Sequence, residues 1–300
     1  MSEVLSKLIP VILVFLLGFV LKKIKLFKED SADLFLKVVY YIAVPALVII
    51  SITSIELSFD FAYFPIIAAL IIFISFFISY FIGKLLKLQN KSFGVFLVGS
   101  MIINIGFTLP FIIAAYGEEG LARITMFDFA NGLLTFTFIY YFAVKYGSGV
   151  KDKKTMIKKF VYSPPIWALI VAVILNLVNV KLPGIASNFF QILGNMVVPL
   201  IMLSLGIYFS PKLVKFTSVV SSIIIRMVFG FLLGFVFVKL FGLEGVNRLV
   251  VLVGSASPVG YNTLTFSSLE GLDKEFAASL VSYSILIGLI FIPLLIFLLS

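Results

Sequence analysis

Apolar runs of about 20 residues recur along the whole chain, each closed by a short polar stretch. They fall at 4–21, 34–54, 62–86, 92–116, 121–146, 164–180, 186–210, 216–241, 247–268 and 274–299. A helix rises 1.5 Å per residue, so each run is long enough to cross most or all of a bilayer's hydrocarbon core. The pattern predicts an all-α polytopic membrane protein with ten transmembrane helices, numbered here 1 to 10. Two of the runs are interrupted near their midpoints: helix 4 carries NIGFTLP at 104–110, and helix 9 carries PVGYNTL at 258–264. Proline removes a backbone donor, glycine admits turns and close approach, and in hydrocarbon no water satisfies the groups thus freed. Side chains such as Asn104, Thr108, Asn262 and Thr263 are placed to do so.

The two interruptions lie at one register of an internal repeat. At an offset of 154 residues Pro10 meets Pro164, AVPALVIIS (43–51) meets VVPLIMLSL (197–205), and Gly106 meets Gly260; EGLA (119–122) returns as EGLD (270–273) at an offset of 151. Five helices per half is an odd number, so the halves have opposite orientation: a 5+5 inverted repeat with broken, crossing helices 4 and 9, the architecture of secondary transporters. The first repeat is residues 1–146, a cytoplasmic linker 147–163, and the second repeat 164–300. Beyond each break a half-helix begins, and its positive dipole end suits an anionic substrate.

Charge follows the same plan. The loops after helices 1, 3, 5, 7 and 9 hold 17 of the 23 lysines and arginines, the opposite side 5, and Arg226 lies inside a span. By the positive-inside rule the odd loops are cytoplasmic and both termini extracytoplasmic, in a multi-pass protein of the cell (inner) membrane. The net charge of +9 is then topology and not a nucleic-acid surface, although the basic run at 151–159 can touch lipid headgroups. Apolar residues make up 62% of the chain and mean hydropathy is +1.21. The opening segment is expected to be a retained first helix. Trp167 and the tyrosines at 140, 141 and 146 read as interfacial anchors, and Gly230 with Gly234 as a site of close helix packing.

Candidate chemistry is sparse. Cysteine and histidine are absent, which removes thiolate nucleophiles, Ser–His pairs and the usual zinc sites; with Asp128 as the one midspan aspartate, an intramembrane hydrolase is not supported and the protein reads as no enzyme. Asp128 and Asn131, spaced i, i+3, share a side of helix 5; Asp128 reads as the protonatable or cation-binding group, and Arg226 as a counter-charge to substrate. Equally, the two residues could form a structural ion pair, or Arg226 could bond only backbone carbonyls. Sodium needs several oxygens, and Asn104, Asn131, Ser255, Ser257 and Thr263 can offer them. The expected partner set is a small organic anion and membrane lipids, with no cofactor beyond a coupling proton or sodium and no metal centre.

INIGFTLPFIIAAYGEEGL (103–121), GSASPVGYNT (254–263) and VVPLIMLSLG (197–206), set in a five-plus-five repeat, resemble the auxin efflux carrier family over essentially the whole chain. The resemblance implies a fold distantly shared with bile acid and sodium symporters. Scaffold helices 1, 2, 6 and 7 would form one domain, transport helices 3–5 and 8–10 the other, and dimers would form through the scaffold. It implies alternating access for an organic anion, with Pro110 and Pro258 as crossover prolines and Asn104, Tyr261 and Asn262 touching substrate. Helix 9 lacks the carboxylate that sodium-coupled relatives use, and the central loop is short, so a compact prokaryotic carrier is expected. A bile-acid-type sodium symporter, or a gated channel or membrane sensor, is the alternative.

Overall fold

The computed structural model describes residues 2–54, 59–148, 164–209 and 212–299, and every regular element among them is helical. Helical backbone satisfies its own donors and acceptors, which apolar surroundings demand. In chain order the α-helices are α1 (Ser2–Lys23), α2 (Glu29–Val38), α3 (Val44–Thr53), α4 (Tyr63–Leu85), α5 (Asn90–Met101), α6 (Ile105–Leu134), α7 (Tyr140–Tyr146) and α8 (Pro164–Leu177). There follow α9 (Gly184–Gly194), α10 (Val197–Tyr208), α11 (Phe216–Ile223), α12 (Gly230–Leu240), α13 (Gly245–Ser255), α14 (Asn262–Glu270) and α15 (Lys274–Leu299). π-helical turns join α2 to α3, α6 to α7 and α11 to α12. The first precedes Pro45, whose missing N–H ends the regular ladder.

Six helical runs among the described residues are long and apolar enough to cross a membrane: Asp30–Thr53, Tyr63–Leu85, Ile105–Tyr146, Gly184–Tyr208, Phe216–Leu240 and Lys274–Leu299. The sequence segments divide differently here for local reasons. Segments 92–116 and 247–268 are each two shorter helices around a break. The second half of the former runs into 121–146 through Gly117, whose φ of 56° and ψ of −144° turn the chain inside α6. Of the linker at 147–163 only Gly147 and Ser148 are described, and the basic run 151–159 lies outside the described residues.

The chain divides into two compact units that interleave in sequence. One comprises Met1–Phe61, Leu109–Thr125 and Tyr162–Phe209. In it α1 and α10 pack backbone to backbone: a Cβ on Gly18 would come 2.2 Å from the Leu203 carbonyl oxygen, and one on Gly206 2.0 Å from that of Phe15. Small residues permit this approach where apolar burial alone gives helices no reason to associate. α3 packs on α8, where Asn176 donates to the Ile52 carbonyl at 2.6 Å.

The second unit comprises Ala62–Thr108, Met126–Val161 and Ser210–Ser300. Phe64, Phe96, Phe107, Phe127, Phe266 and Phe276 fill its core. At one end Asp273 caps α15 by accepting from the Phe276 N–H, and it also accepts from Lys215 and Ser92, which ties the starts of α5, α11 and α15 together. Phe77, Phe81, Leu240 and Ile290 present apolar side chains outward, as a lipid-facing surface requires.

Candidate functional site

The site grows from two short stretches of non-helical backbone within the second unit. α5 ends at Met101, Ile102 turns extended, and α6 restarts at Ile105; α13 ends at Ser255, and α14 restarts at Asn262. Residues 103 and 259 form an isolated antiparallel bridge. The Asn104 N–H donates to the Pro258 carbonyl at 3.0 Å, and the Gly260 N–H to the Ile102 carbonyl at 3.2 Å. Each interruption thus supplies the other with partners its own helix cannot provide. A Cβ on Gly260 would stand 2.0 Å from Ile102 Cγ2, so the approach requires glycine at 260.

Polar side chains complete the junction. Asn104 is buried; its Oδ1 accepts from the Phe107 N–H at 3.1 Å, capping α6, and its Nδ2 donates to the Val259 carbonyl at 3.0 Å. The Asn131 amide accepts from the Ile103 N–H at 3.2 Å and donates to the Ile103 carbonyl at 3.0 Å. The same Asn131 nitrogen donates to Asp128 Oδ1 at 2.7 Å, so Asp128 and Asn131 do share a side of α6. Thr108 and Ser257 share a hydrogen bond of 2.6 Å, and Ser284 accepts from the Val259 N–H at 3.2 Å. Pro258 sits in the break, whereas Pro110 lies inside α6, where it has no N–H to offer the Gly106 carbonyl. The break itself therefore begins two residues ahead of the NIGFTLP stretch, whose remaining residues build the first turns of α6.

Arg226, on the π-helical turn between α11 and α12, is fully buried. Its guanidinium donates to the Ser255 carbonyl at 2.7 Å and to the Met101 carbonyl at 3.4 Å. Those are the last carbonyls of α13 and α5, both negative dipole ends aimed at the breaks, and one cation serves both. Asp128 takes its hydrogen bond from Asn131, and among the described residues no ion pair joins it to Arg226. Gly230 and Gly234 make room for this arrangement, since a Cβ on either would fall within 2.6 Å of Ser255 atoms. They mark close packing within one chain.

Exposure separates the predicted residues into two groups. Asn104, Thr108, Pro110, Asn131, Arg226, Ser255, Ser257, Pro258, Gly260 and Thr263 are buried; Gly106 is exposed, and Asp128, Tyr261 and Asn262 are half-buried. A Cβ on Gly106 would meet only Asn104 Oδ1 at 3.7 Å, which leaves open space at the first turn of α6. The Ser255 and Thr263 hydroxyl oxygens are buried without a hydrogen-bond partner, unusual for a packed interior.

Sequence reasoning missed the backbone role of Ile102, Ile103 and Val259, because apolar side chains give no sign of unpaired main chain. It also read Tyr140 as an interfacial anchor. Tyr140 is instead 8% exposed, and its hydroxyl donates to Glu270. Tyr141 and Trp167, at 53% and 52%, have the exposure anchors need.

The family model described as "Membrane transport protein" matches residues 3–296. An uncharacterised transporter of Methanocaldococcus jannaschii is 30% identical over 295 residues, covering 95% of both chains. An uncharacterised transporter of Methanothermobacter thermautotrophicus is 26% identical over 292 residues, again covering 95% of both. With apolar helices long enough to span a bilayer and a match over nearly its whole length, the chain belongs to the membrane transport protein family, which includes the auxin-efflux-carrier-like proteins, and is a multi-pass membrane transporter.

Proposed function

We propose that the protein is a secondary carrier moving an organic anion, of the size of a small carboxylate, across the cell membrane by alternating access. The paired interruptions carry this reading: two half-helices, α6 and α14, begin at one junction and offer N-terminal N–H groups and dipole ends to a negative ligand. Gly106, Tyr261 and Asn262 are the accessible residues there and contact the anion. Asn104, Thr108, Pro110, Pro258 and Gly260 hold the two half-helices in place. Arg226 adds positive potential from behind the junction, as a counter-charge felt through the carbonyls it bonds. Asp128 with Asn131 couples transport to a cation gradient.

In this reading the ten predicted helices form a 5+5 inverted repeat in which helices 4 and 9 cross. Helices 3–5 and 8–10 move against scaffold helices 1, 2, 6 and 7, the scaffold forms the homodimer, and both termini are extracytoplasmic. A bile-acid-type sodium symporter is the second reading. The unpartnered hydroxyls of Ser255 and Thr263 favour it, since buried oxygens of this kind suit a cation lacking its water shell.

The deciding experiment is counterflow in proteoliposomes with a panel of radiolabelled mono- and dicarboxylates, with sodium or choline as the cation and at two pH values. Saturable exchange of a carboxylate is expected, abolished by Asn104→Ala in protein that remains monodisperse. Conductance without saturation or counterflow would assign a channel, and silence across the panel would overturn the carboxylate carrier.

A further inference from the structure

α6 changes allegiance along its length. Ile105–Thr108 and Met126–Leu134 fall within the second unit, but Leu109–Thr125 falls within the first. Side chains at the end of α3 hold that stretch there. Ser51, fully buried, donates to the Glu118 carbonyl at 2.9 Å, and Ser54 donates to Glu118 Oε2 at 2.8 Å. The Arg123 guanidinium lies 5.2 Å from the centre of the Phe61 ring while it pairs with Glu119 at 3.0 Å. Ser51, Ser54 and Phe61 all belong to the first unit, and α3 is fixed within it, since Asn176 of α8 bonds the Ile52 carbonyl between the two serines.

The two ends of the stretch differ in stiffness. At the first, Pro110 has no N–H for the Gly106 carbonyl, and a Cβ on Gly106 would meet only Asn104 Oδ1 at 3.7 Å, so little resists bending there. Gly117 then turns the chain. From Glu118 the helix runs unbroken to Leu134, which places Glu118 about 20 Å from Asn131 along one rod at 1.5 Å per residue. Asn131 grips the Ile103 backbone at the junction. A stiff helix transmits displacement, and a shift of about 1 Å takes bonds of this length out of hydrogen-bonding reach. The junction therefore cannot shift relative to α3 while both bonds to Glu118 stay made.

We infer that Ser51, Ser54 and Glu118 form a latch, closed in this conformation, that opens when the junction moves and closes when it returns. The chain flexes at Gly106–Pro110 and at Gly117, while the rod from Glu118 to Asn131 travels as one piece. The strength of the latch sets how much of the protein rests in the closed conformation. Each hydroxyl bond shifts that balance by about two- to tenfold, and the exposed Ser54 bond lies at the lower end. A ligand that binds only the open form works against this bias, so the latch also tunes apparent affinity from a distance. The latch rests on the carrier reading, in which the junction changes position, but its opening is measurable without a substrate.

The sequence contains no cysteine, so thiols can be introduced singly or in pairs. Spin labels on Glu119→Cys and Ile185→Cys, both exposed and both in the first unit, report the distance from the latched stretch to α9, which packs on α3. The test is pulsed electron spin resonance of the full-length protein in vesicles of phosphatidylcholine and phosphatidylglycerol. Two distances are expected, the shorter dominant in the parent, with the longer gaining about two- to tenfold when Ser54→Ala and Glu118→Ala are added. Both substitutions are at exposed positions and leave the core intact. A single distance, unchanged in that variant, overturns the latch. In a second arm, Ser54→Cys and Glu118→Cys are bridged by a short bifunctional thiosulfonate. Bridging should abolish carboxylate counterflow and reductant should restore it. Undiminished counterflow in the bridged protein overturns the latch and leaves the carrier standing, whereas two distances in a protein that exchanges no carboxylate do the reverse.

Discussion

The Asn131 side chain occupies both hydrogen-bonding positions of the Ile103 backbone, donating to its carbonyl and accepting from its N–H. An amide here stands in for a neighbouring strand, and its third bond holds Asp128. Replacing Asn131 by Leu strands two buried backbone groups at about 1–3 kcal/mol each. The expected outcome is a clear fall in the melting temperature of the detergent-solubilised protein; an unchanged melt would mean that water or a neighbouring group takes over both bonds.

Asp128→Asn keeps the size of the side chain and its capacity to accept from Asn131, but cannot bind a proton. Once a substrate is identified, exchange should persist while accumulation driven by a proton or sodium gradient disappears. Gradient-driven uptake that survives the substitution would make Asp128 structural.

Arg226 is expected to be irreplaceable by lysine. Its fork reaches the last carbonyls of α5 and α13 together, and an ammonium on a flexible stem serves one well at most. Loss of one charge-assisted bond costs about 1.5–3 kcal/mol, so Arg226→Lys should melt lower than the parent. Arg226→Met also removes the cost of burying a charge, and comparing the two variants separates that cost from the bonds. Equal melting of Arg226→Lys and parent would remove the stapling role.

Gly260→Ala forces a methyl group against Ile102. Overpacking of this kind costs about 1–3 kcal/mol, and the strain falls on the bridge between the breaks. The expected phenotype is folded protein with sharply reduced exchange. Pairing the substitution with Ile102→Ala should restore part of it, and failure of that rescue would show that the Ile102 contact is not what demands glycine at 260.

Asp273 contributes a pH dependence to stability. Burial alone would raise its carboxyl, but the Lys215 ammonium, the Phe276 N–H and the Ser92 hydroxyl outweigh it and hold the group below its ordinary value. A depressed value in the folded state contributes stability above the unfolded value, about 3.9, and that contribution is lost as pH falls through the folded one. The melting-temperature difference between parent and Asp273→Asn should therefore be level from about pH 6 to 8 and shrink below about pH 4. Solvent screening keeps the effect modest, since Lys215 is 41% exposed.

The apolar runs, the charge asymmetry and the two Gly/Pro interruptions were legible because each is a local property of the chain. The place of the first break was not. Ile102 and Ile103 look like any membrane residues, and their unpaired backbone becomes evident only with Val259 and Asn131 beside them, more than 150 and 28 residues away. Arg226 was recognisable as costly, yet its role depended on two helix ends that only folding assembles. Glu270 was invisible for a simpler reason: a glutamate at the end of a span, followed by Gly271 and Leu272, reads as a loop residue until Tyr140 covers it.

Two of the bonds that join the two interruptions run from main chain to main chain, Asn104 to Pro258 and Gly260 to Ile102. Backbone bonds are indifferent to most side chains, so this part of the junction does not depend on the residues that line its accessible side. If Gly106, Tyr261 and Asn262 contact the anion as proposed, exchanges there would retune selectivity while the backbone bonds between the two breaks endure, which would give one architecture the means to diversify its cargo.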